Sequence, residues 1–242
     1  MRTRAFTLVE LMVVVAMIAL LTAVLLPALA KARRQALTVR DLANFKGLET
    51  AHWMYVNDYN GSLIRVGLAH GGSGADEPVA WINTLQKYYG KKLLHRSPVD
   101  RSPHWPVDEG GQGVPVPKSG GTQFRRTSYG VNNFLDPATA PWGGPYTKIE
   151  QIHRPWKIVH FVYMAETGEY AGADHPHVEN WGGSRPPVMA SRHLQINAHG
   201  GPPHDWNSVT NYGFLDGHAE TLPFRSVFKD FKQNRFDPQL GR

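Results

Sequence analysis

Met1-Arg-Thr-Arg-Ala-Phe6-Thr-Leu-Val-Glu10-Leu-Met-Val-Val-Val-Ala-Met-Ile-Ala-Leu20-Leu-Thr-Ala-Val-Leu-Leu-Pro27-Ala-Leu-Ala30 opens the chain, and the fold follows from how it is read. Between Phe6 and Ala30 every side chain is apolar except Thr7, Glu10 and Thr22. At a helical rise of ~1.5 Å per residue this run covers a hydrocarbon core about 30 Å thick, which predicts a membrane-spanning helix. A secretory signal peptide also starts with a short basic leader, here Arg2 and Arg4. Its apolar core, however, is only about 7–15 residues long and ends in a small-residue cleavage site. The run here is longer and carries a carboxylate near its front. A carboxylate at the centre of a membrane helix costs about 2.5–3.5 kcal/mol, less near the interface, so Glu10 is expected to serve a partner. The plain alternative is that it snorkels to the headgroups.

Ala5-Phe6-Thr7-Leu8-Val9-Glu10, followed by Leu11-Met12-Val13-Val14, resembles the class III signal of type IV prepilins and type II secretion pseudopilins. The resemblance implies that prepilin peptidase cuts between Ala5 and Phe6 on the cytoplasmic side and N-methylates Phe6. Glu10 then becomes the fifth residue of the mature chain. Pro27 falls where that family often has a helix-breaking proline. Ala5 is a departure, because the family usually has Gly before the cut; slower processing is the expected consequence. The implied organisation is a cytoplasmic leader (1–5), a transmembrane and assembly helix (6–30), an amphipathic continuation (31–59) and an extracytoplasmic head (60–242). The implied partners are prepilin peptidase, other pilin or pseudopilin subunits and inner-membrane lipid, with the head in the periplasm or at the cell surface. Stacked subunits bring the Phe6 amine of one chain to the Glu10 carboxylate of another, compensating two charges where water is scarce. Pro27 cannot bond the carbonyl of Ala23, so the helix is expected to kink or loosen around 22–27.

The 242 residues leave about 180 beyond the helical stem, enough for one domain with its own core. The formal net charge is +6, but Arg2, Arg4, Lys31, Arg33 and Arg34 flank the apolar run and account for much of it. Nucleic acid is therefore not expected as a partner. Basic residues on both flanks also weaken any inference of orientation from charge. There is no cysteine, so packing or a metal must hold the head without disulfides.

Beyond Lys31, Leu42, Phe45, Leu48, His52, Tyr55 or Val56, and Tyr59 recur at helical spacing and predict one buried face, stopped by Asn57-Asp-Tyr-Asn-Gly61. Residues 67–78 read as a loop, 79–89 as a short helix ended by Gly90, and 97–122 as a long irregular loop. Strands are expected within 127–135, 157–166 and 212–222, the second central because it is almost wholly apolar. Asp216-Gly217 predicts a two-residue type I′ hairpin. The fold class is α+β: a long N-terminal helix packed on a small antiparallel sheet with long loops, pilin-like. Asn57-Asp-Tyr-Asn-Gly61, Ser128-Tyr-Gly-Val-Asn132, Arg192-His193 and Asn211-Tyr-Gly-Phe-Leu-Asp-Gly-His218 also resemble, in order, segments of prepilin-like families abundant in planctomycetes and verrucomicrobia. Their biochemical role is largely unassigned, and the stretch 202–210 looks like an insertion relative to them.

Histidines gather in the last third: His175-Pro-His177, His193, His199, His204 and His218, with Asp174, Asp205 and Asp216. These residue types bind transition metals, which makes His175, His177, Asp216 and His218 candidate ligands for zinc. Loop histidines that hydrogen-bond carbonyls are the alternative. Calcium through Asp216 is a further candidate, although no dense acidic run supplies its six to eight oxygens, and Asp216 also suits a turn. Ser128, Ser191 and Ser208 lack a nucleophile setting, and no phosphate-cradling loop is present, so no enzymatic activity is expected. Trp105, Trp142, Trp156, Trp181 and Trp206 suggest either a binding platform or small cores under loops. The expected function is a structural subunit of a type IV pilus or a type II secretion pseudopilus. The alternative is an extracytoplasmic ligand-, metal- or glycan-binding domain on a pilin-type anchor.

Overall fold

The computed structural model describes residues 7–68, 77–90, 95–117, 123–137, 139–141 and 146–240. One helix, α1 (Leu8–Asp58), carries the N-terminal quarter of these residues. The chain divides into two compact units, residues 1–39 and 40–242. In the first, the described residues are almost entirely helix, and the apolar side chains from Leu8 to Leu29 are exposed. Pro27 lies inside α1, and the helix continues past it without a break, so the loosening expected at 22–27 does not interrupt the element.

In the second unit the rest of α1 is half of a core. Phe45, Leu48 and Ala51 are buried against Trp81, Tyr129, Val131, Phe161 and Tyr163, and Val56 is buried on the same face of the helix, the one that the spacing predicts. Each large side chain so buried contributes about 1.5–3 kcal/mol. Tyr59, expected on that face, is 46% exposed because the helix has already ended. The stop lies where the sequence places it: Asn60 (φ 51°) and Gly61 (φ 80°) turn left-handed, and the Gly61 amide bonds back to the carbonyl of Val56 at 2.8 Å. The same face buries Asp41, which accepts from Tyr129 Oη at 2.6 Å and Asn211 Nδ2 at 2.9 Å and lies 3.1 Å from His199 Nε2. Such fully partnered polar contacts fix the angular setting of this helical segment on the head.

The predicted 79–89 helix is two short turns, α2 (Trp81–Thr84) and α3 (Gln86–Tyr89), and Gly90 (φ 71°) ends the second as expected. Residues 97–117 are irregular apart from a 3-10 turn at Val107–Glu109. The sheet differs from a single layer. Strands β1 (Tyr129–Val131) and β2 (Phe161–Tyr163) form one antiparallel pair, β3 (Val209–Gly213) and β4 (Ala219–Pro223) a second, and β5 (Phe228–Asp230) and β6 (Gln233–Asn234) a third. An isolated antiparallel bridge, Val159 to Phe214, and the bond from the His160 amide to the Gly213 carbonyl (2.8 Å) join β2 to the second pair. β1 and β2 lie within the predicted windows 127–135 and 157–166, and β2 is fully buried, as its apolar sequence requires; β3 and β4 overrun the window 212–222 at both ends because it covers a hairpin and not one strand, and β5 and β6 lie outside all three windows.

The hairpin between β3 and β4 corrects the predicted turn. Type I′ needs positive φ at both central residues, yet only Gly217 (φ 99°) has it. The Gly217 amide bonds the Phe214 carbonyl (2.8 Å) and the Phe214 amide bonds the His218 carbonyl (2.9 Å). The loop is therefore three residues, a turn over Leu215 and Asp216 followed by a glycine bulge. A second core packs Trp181 against Phe224, Phe228 and Phe236, with Val162, Met164 and Phe214.

Candidate assembly site and the histidine clusters

Thr7 and Glu10 build the start of α1 from their own side chains. The Thr7 amide and hydroxyl both donate to Glu10 Oε2 (2.9 and 2.8 Å), while the Glu10 amide donates to Thr7 Oγ1 at 3.2 Å. This reciprocal arrangement is a capping box, and a threonine three residues before a glutamate is its sequence signature. It satisfies helix-end amides in a setting where lipid offers no partner. Among the described residues, Thr7 bonds Glu10 through Oε2, and Glu10 Oε1 makes no hydrogen bond. Ala5 and Phe6 lie outside the described residues.

Beyond the cap, Leu8, Val9, Leu11, Met12, Val13, Val14 and the apolar side chains that follow are exposed around the whole helix. A soluble helix shows one apolar stripe, whereas one that is apolar all round belongs inside lipid or a bundle. The length and composition of α1 suffice to cross a membrane. The hydroxyl of Thr22 is turned inward onto the carbonyl of Ile18 (2.7 Å), which hides it from an apolar surround.

The structure places the metal candidates in two separate local groups. His175 Nδ1 is 2.9 Å from Asp174 Oδ1, and the other Asp174 oxygen accepts from the amides of Gly67 (3.0 Å) and Leu68 (3.1 Å). The ring of His177 lies 5.0 Å from that of His175, and its Nδ1 meets Glu179 Oε1 at 2.7 Å. The pull of burial on Glu179 is upward, but His177 and Asn133 outweigh it and hold the carboxyl below its ordinary value. His193 accepts from the His177 amide (2.8 Å) and stacks on Tyr170. Elsewhere, His218 Nδ1 meets Asp216 Oδ1 at 2.5 Å, and its ring lies parallel to Phe214 at 4.3 Å. His175, His177, Asp216 and His218 thus pair locally. Among the described residues, the metal-ligating group whose atoms all lie within 4.8 Å of one another is a different one: Glu49, His52 and His160. Sequence reading placed His52 only on a buried helical face. The signal that would have found its neighbour is Glu49-x-x-His52, two ligand types one helical turn apart.

The tryptophans divide likewise. Trp105 and Trp181 are completely buried, Trp206 is packed at the edge of the second core, and Trp156 is half exposed, so the first two belong to the interior. Trp142 lies outside the described residues.

Comparison with known proteins matches residues 1–26 to the family model described as the prokaryotic N-terminal methylation motif. No curated protein and no solved structure matches the chain. The matched segment contains the cap of α1 and most of its exposed apolar surface, and it is the type IV prepilin and pseudopilin signal, which supports a pilin-like precursor.

Proposed function

We propose that the chain is a structural subunit of a type IV pilus or a type II secretion pseudopilus, without catalytic activity of its own. The observation that carries this reading is the methylation motif at residues 1–26 running directly into a helix whose apolar surface has no protein cover. Prepilin peptidase cuts between Ala5 and Phe6 and methylates Phe6. The remaining helix holds the chain in the inner membrane as a single span, with the head on the extracytoplasmic side. Burial of the Leu8 to Leu29 surface among neighbouring subunits then replaces lipid contact.

Glu10 sets the stagger of that packing. Thr7 occupies one carboxylate oxygen and leaves Oε1 for the Phe6 amine of an adjacent subunit. A pair formed in this apolar setting is held by strong mutual attraction, and a subunit out of register leaves both charges uncompensated. The test is Glu10→Ala in the full chain, read by incorporation into filaments and by unfolding of the head. Incorporation should be lost with the head's melting temperature unchanged, because Glu10 is exposed and belongs to residues 1–39. Normal incorporation of the variant would refute the assigned role.

A further inference from the structure

Glu49 and His52 sit one turn apart on the inner face of α1, and His160 comes from the residue preceding β2. All three are buried, at 0%, 0% and 1% exposure. His160 Nδ1 is 2.8 Å from Glu49 Oε2, and the rings of His52 and His160 are 4.3 Å apart. Among the described residues, Glu49 Oε1, both nitrogens of His52 and His160 Nε2 have no hydrogen-bond partner. A single unpartnered polar atom in an interior is already costly, and here three neighbouring side chains, whose ligand atoms lie within 4.8 Å of one another, carry four of them. Apolar residues of similar volume would pack there without that cost. Gly213 makes the convergence possible: a Cβ at that position would lie 2.5 Å from Glu49 Oε1.

We propose that Glu49, His52 and His160 bind a divalent first-row transition metal, foremost zinc, as a structural clamp between α1 and the strands of the head. Two imidazoles and one carboxylate are a zinc-type donor set. Calcium is excluded by its need for six to eight oxygens where a single carboxylate is on offer. The ligand atoms lie within 4.8 Å of one another. Ligands on a tetrahedral zinc with bonds of about 2.0–2.1 Å are about 3.3 Å apart, a change that side-chain rotation can supply. The second oxygen of Glu49 or a water completes four-coordination.

Metal binding requires neutral imidazoles and an ionised carboxylate. Burial already keeps both histidines neutral, pushing His160 down to about 3 and His52 well below its ordinary value. Burial pushes the Glu49 carboxyl well up, partly opposed by the Phe161 backbone amide. The enclosed position leaves no access for a substrate, which makes the role structural. In a chain without cysteine, such a clamp does what a disulfide would otherwise do. The inference is independent of filament assembly, since all three ligands lie within residues 40–242.

The test uses the full chain in detergent, stripped with a chelator and then titrated with zinc, cobalt(II) or calcium. Zinc should bind with one equivalent per chain and raise the melting temperature by roughly 5–10 °C at saturation, and cobalt(II) should give the visible absorption of a four-coordinate ion. Calcium should change nothing. His52→Leu, which fills the same buried volume without nitrogen, should keep or raise the metal-free melting temperature and lose both zinc binding and the zinc-dependent rise. Should that variant not fold, Glu49→Gln carries the same test, with zinc affinity reduced at least tenfold. Absence of zinc binding by the stripped wild-type chain would overturn the proposal, as would an undiminished zinc response in the folded variant.

Discussion

Asp100 and Arg125 form an ion pair at 2.9 Å with both side chains completely buried. Burial of this kind is tolerable only when every donor is used. Arg125 donates besides to the carbonyls of Ala165 (2.7 Å), Ala171 (2.5 Å) and Met164 (3.2 Å), and Asp100 accepts from Ser128 Oγ (2.6 Å) and the Ser102 amide (2.8 Å). The pair therefore ties the irregular stretch after residue 97 to the end of β2 and the loop that follows. Asp100→Asn leaves the guanidinium charge uncompensated, and the expected loss is about 3–5 kcal/mol in denaturant unfolding. The pair also sets a pH dependence. Burial pulls the Asp100 carboxyl upward, but Arg125, Ser128 and Ser102 outweigh it and hold it below its ordinary 3.8. The unfolded chain then takes up a proton before the folded one does, so this contribution is full above pH 3.8 and disappears as pH falls through the lowered folded value. Between about pH 5 and pH 2 the wild-type stability should fall more steeply than that of Asp100→Asn. Parallel slopes would show that the fold does not lower the Asp100 carboxyl.

The element that decides how the head folds is the second half of α1. Its Phe45, Leu48 and Ala51 complete the core around Trp81, Tyr129 and Phe161, and its Asp41 closes a network with Tyr129, His199 and Asn211. A chain starting at residue 40 should be water-soluble and unfold in one cooperative transition. A chain starting at residue 60 should be insoluble or molten, since it exposes that core; near-ultraviolet circular dichroism distinguishes the two. Much of this was legible in the sequence. Phe45, Leu48, His52 and Val56 recur at helical spacing, and Asn60-Gly61 offers the left-handed residues that end the helix. The apolar run around Phe161 marked a buried strand. The turn type at Leu215-Asp216-Gly217 was not legible, because Asp216 tolerates several backbone conformations and only neighbouring bonds choose among them. Nor was the interior position of Asp41 and Glu49. Carboxylates on a helix read as solvent-facing until partners arrive from strands more than eighty residues away, as Tyr129 and His160 do. For the same reason the trio Glu49, His52 and His160 was missed, while histidines close together in sequence, such as His175 and His177, drew the attention.

At the scale of the whole molecule, a prepilin-type signal and an unclothed apolar helix are joined to a head held together without disulfides by aromatic cores and buried polar ties. The two parts make different demands. Residues 1–39 need lipid or other subunits, whereas residues 40–242 bury their own core. An unprocessed chain keeps Arg2 and Arg4 ahead of Phe6 and has no free amine near Glu10, so the proposed pairing between subunits depends on the cut. That dependence makes the mature N-terminus the most direct test. Mass spectrometry of the protein purified from its own membranes should find a chain that begins at N-methylated Phe6. A chain that still begins at Met1, or one cut beyond Ala30 so that the apolar helix is lost, would contradict the account.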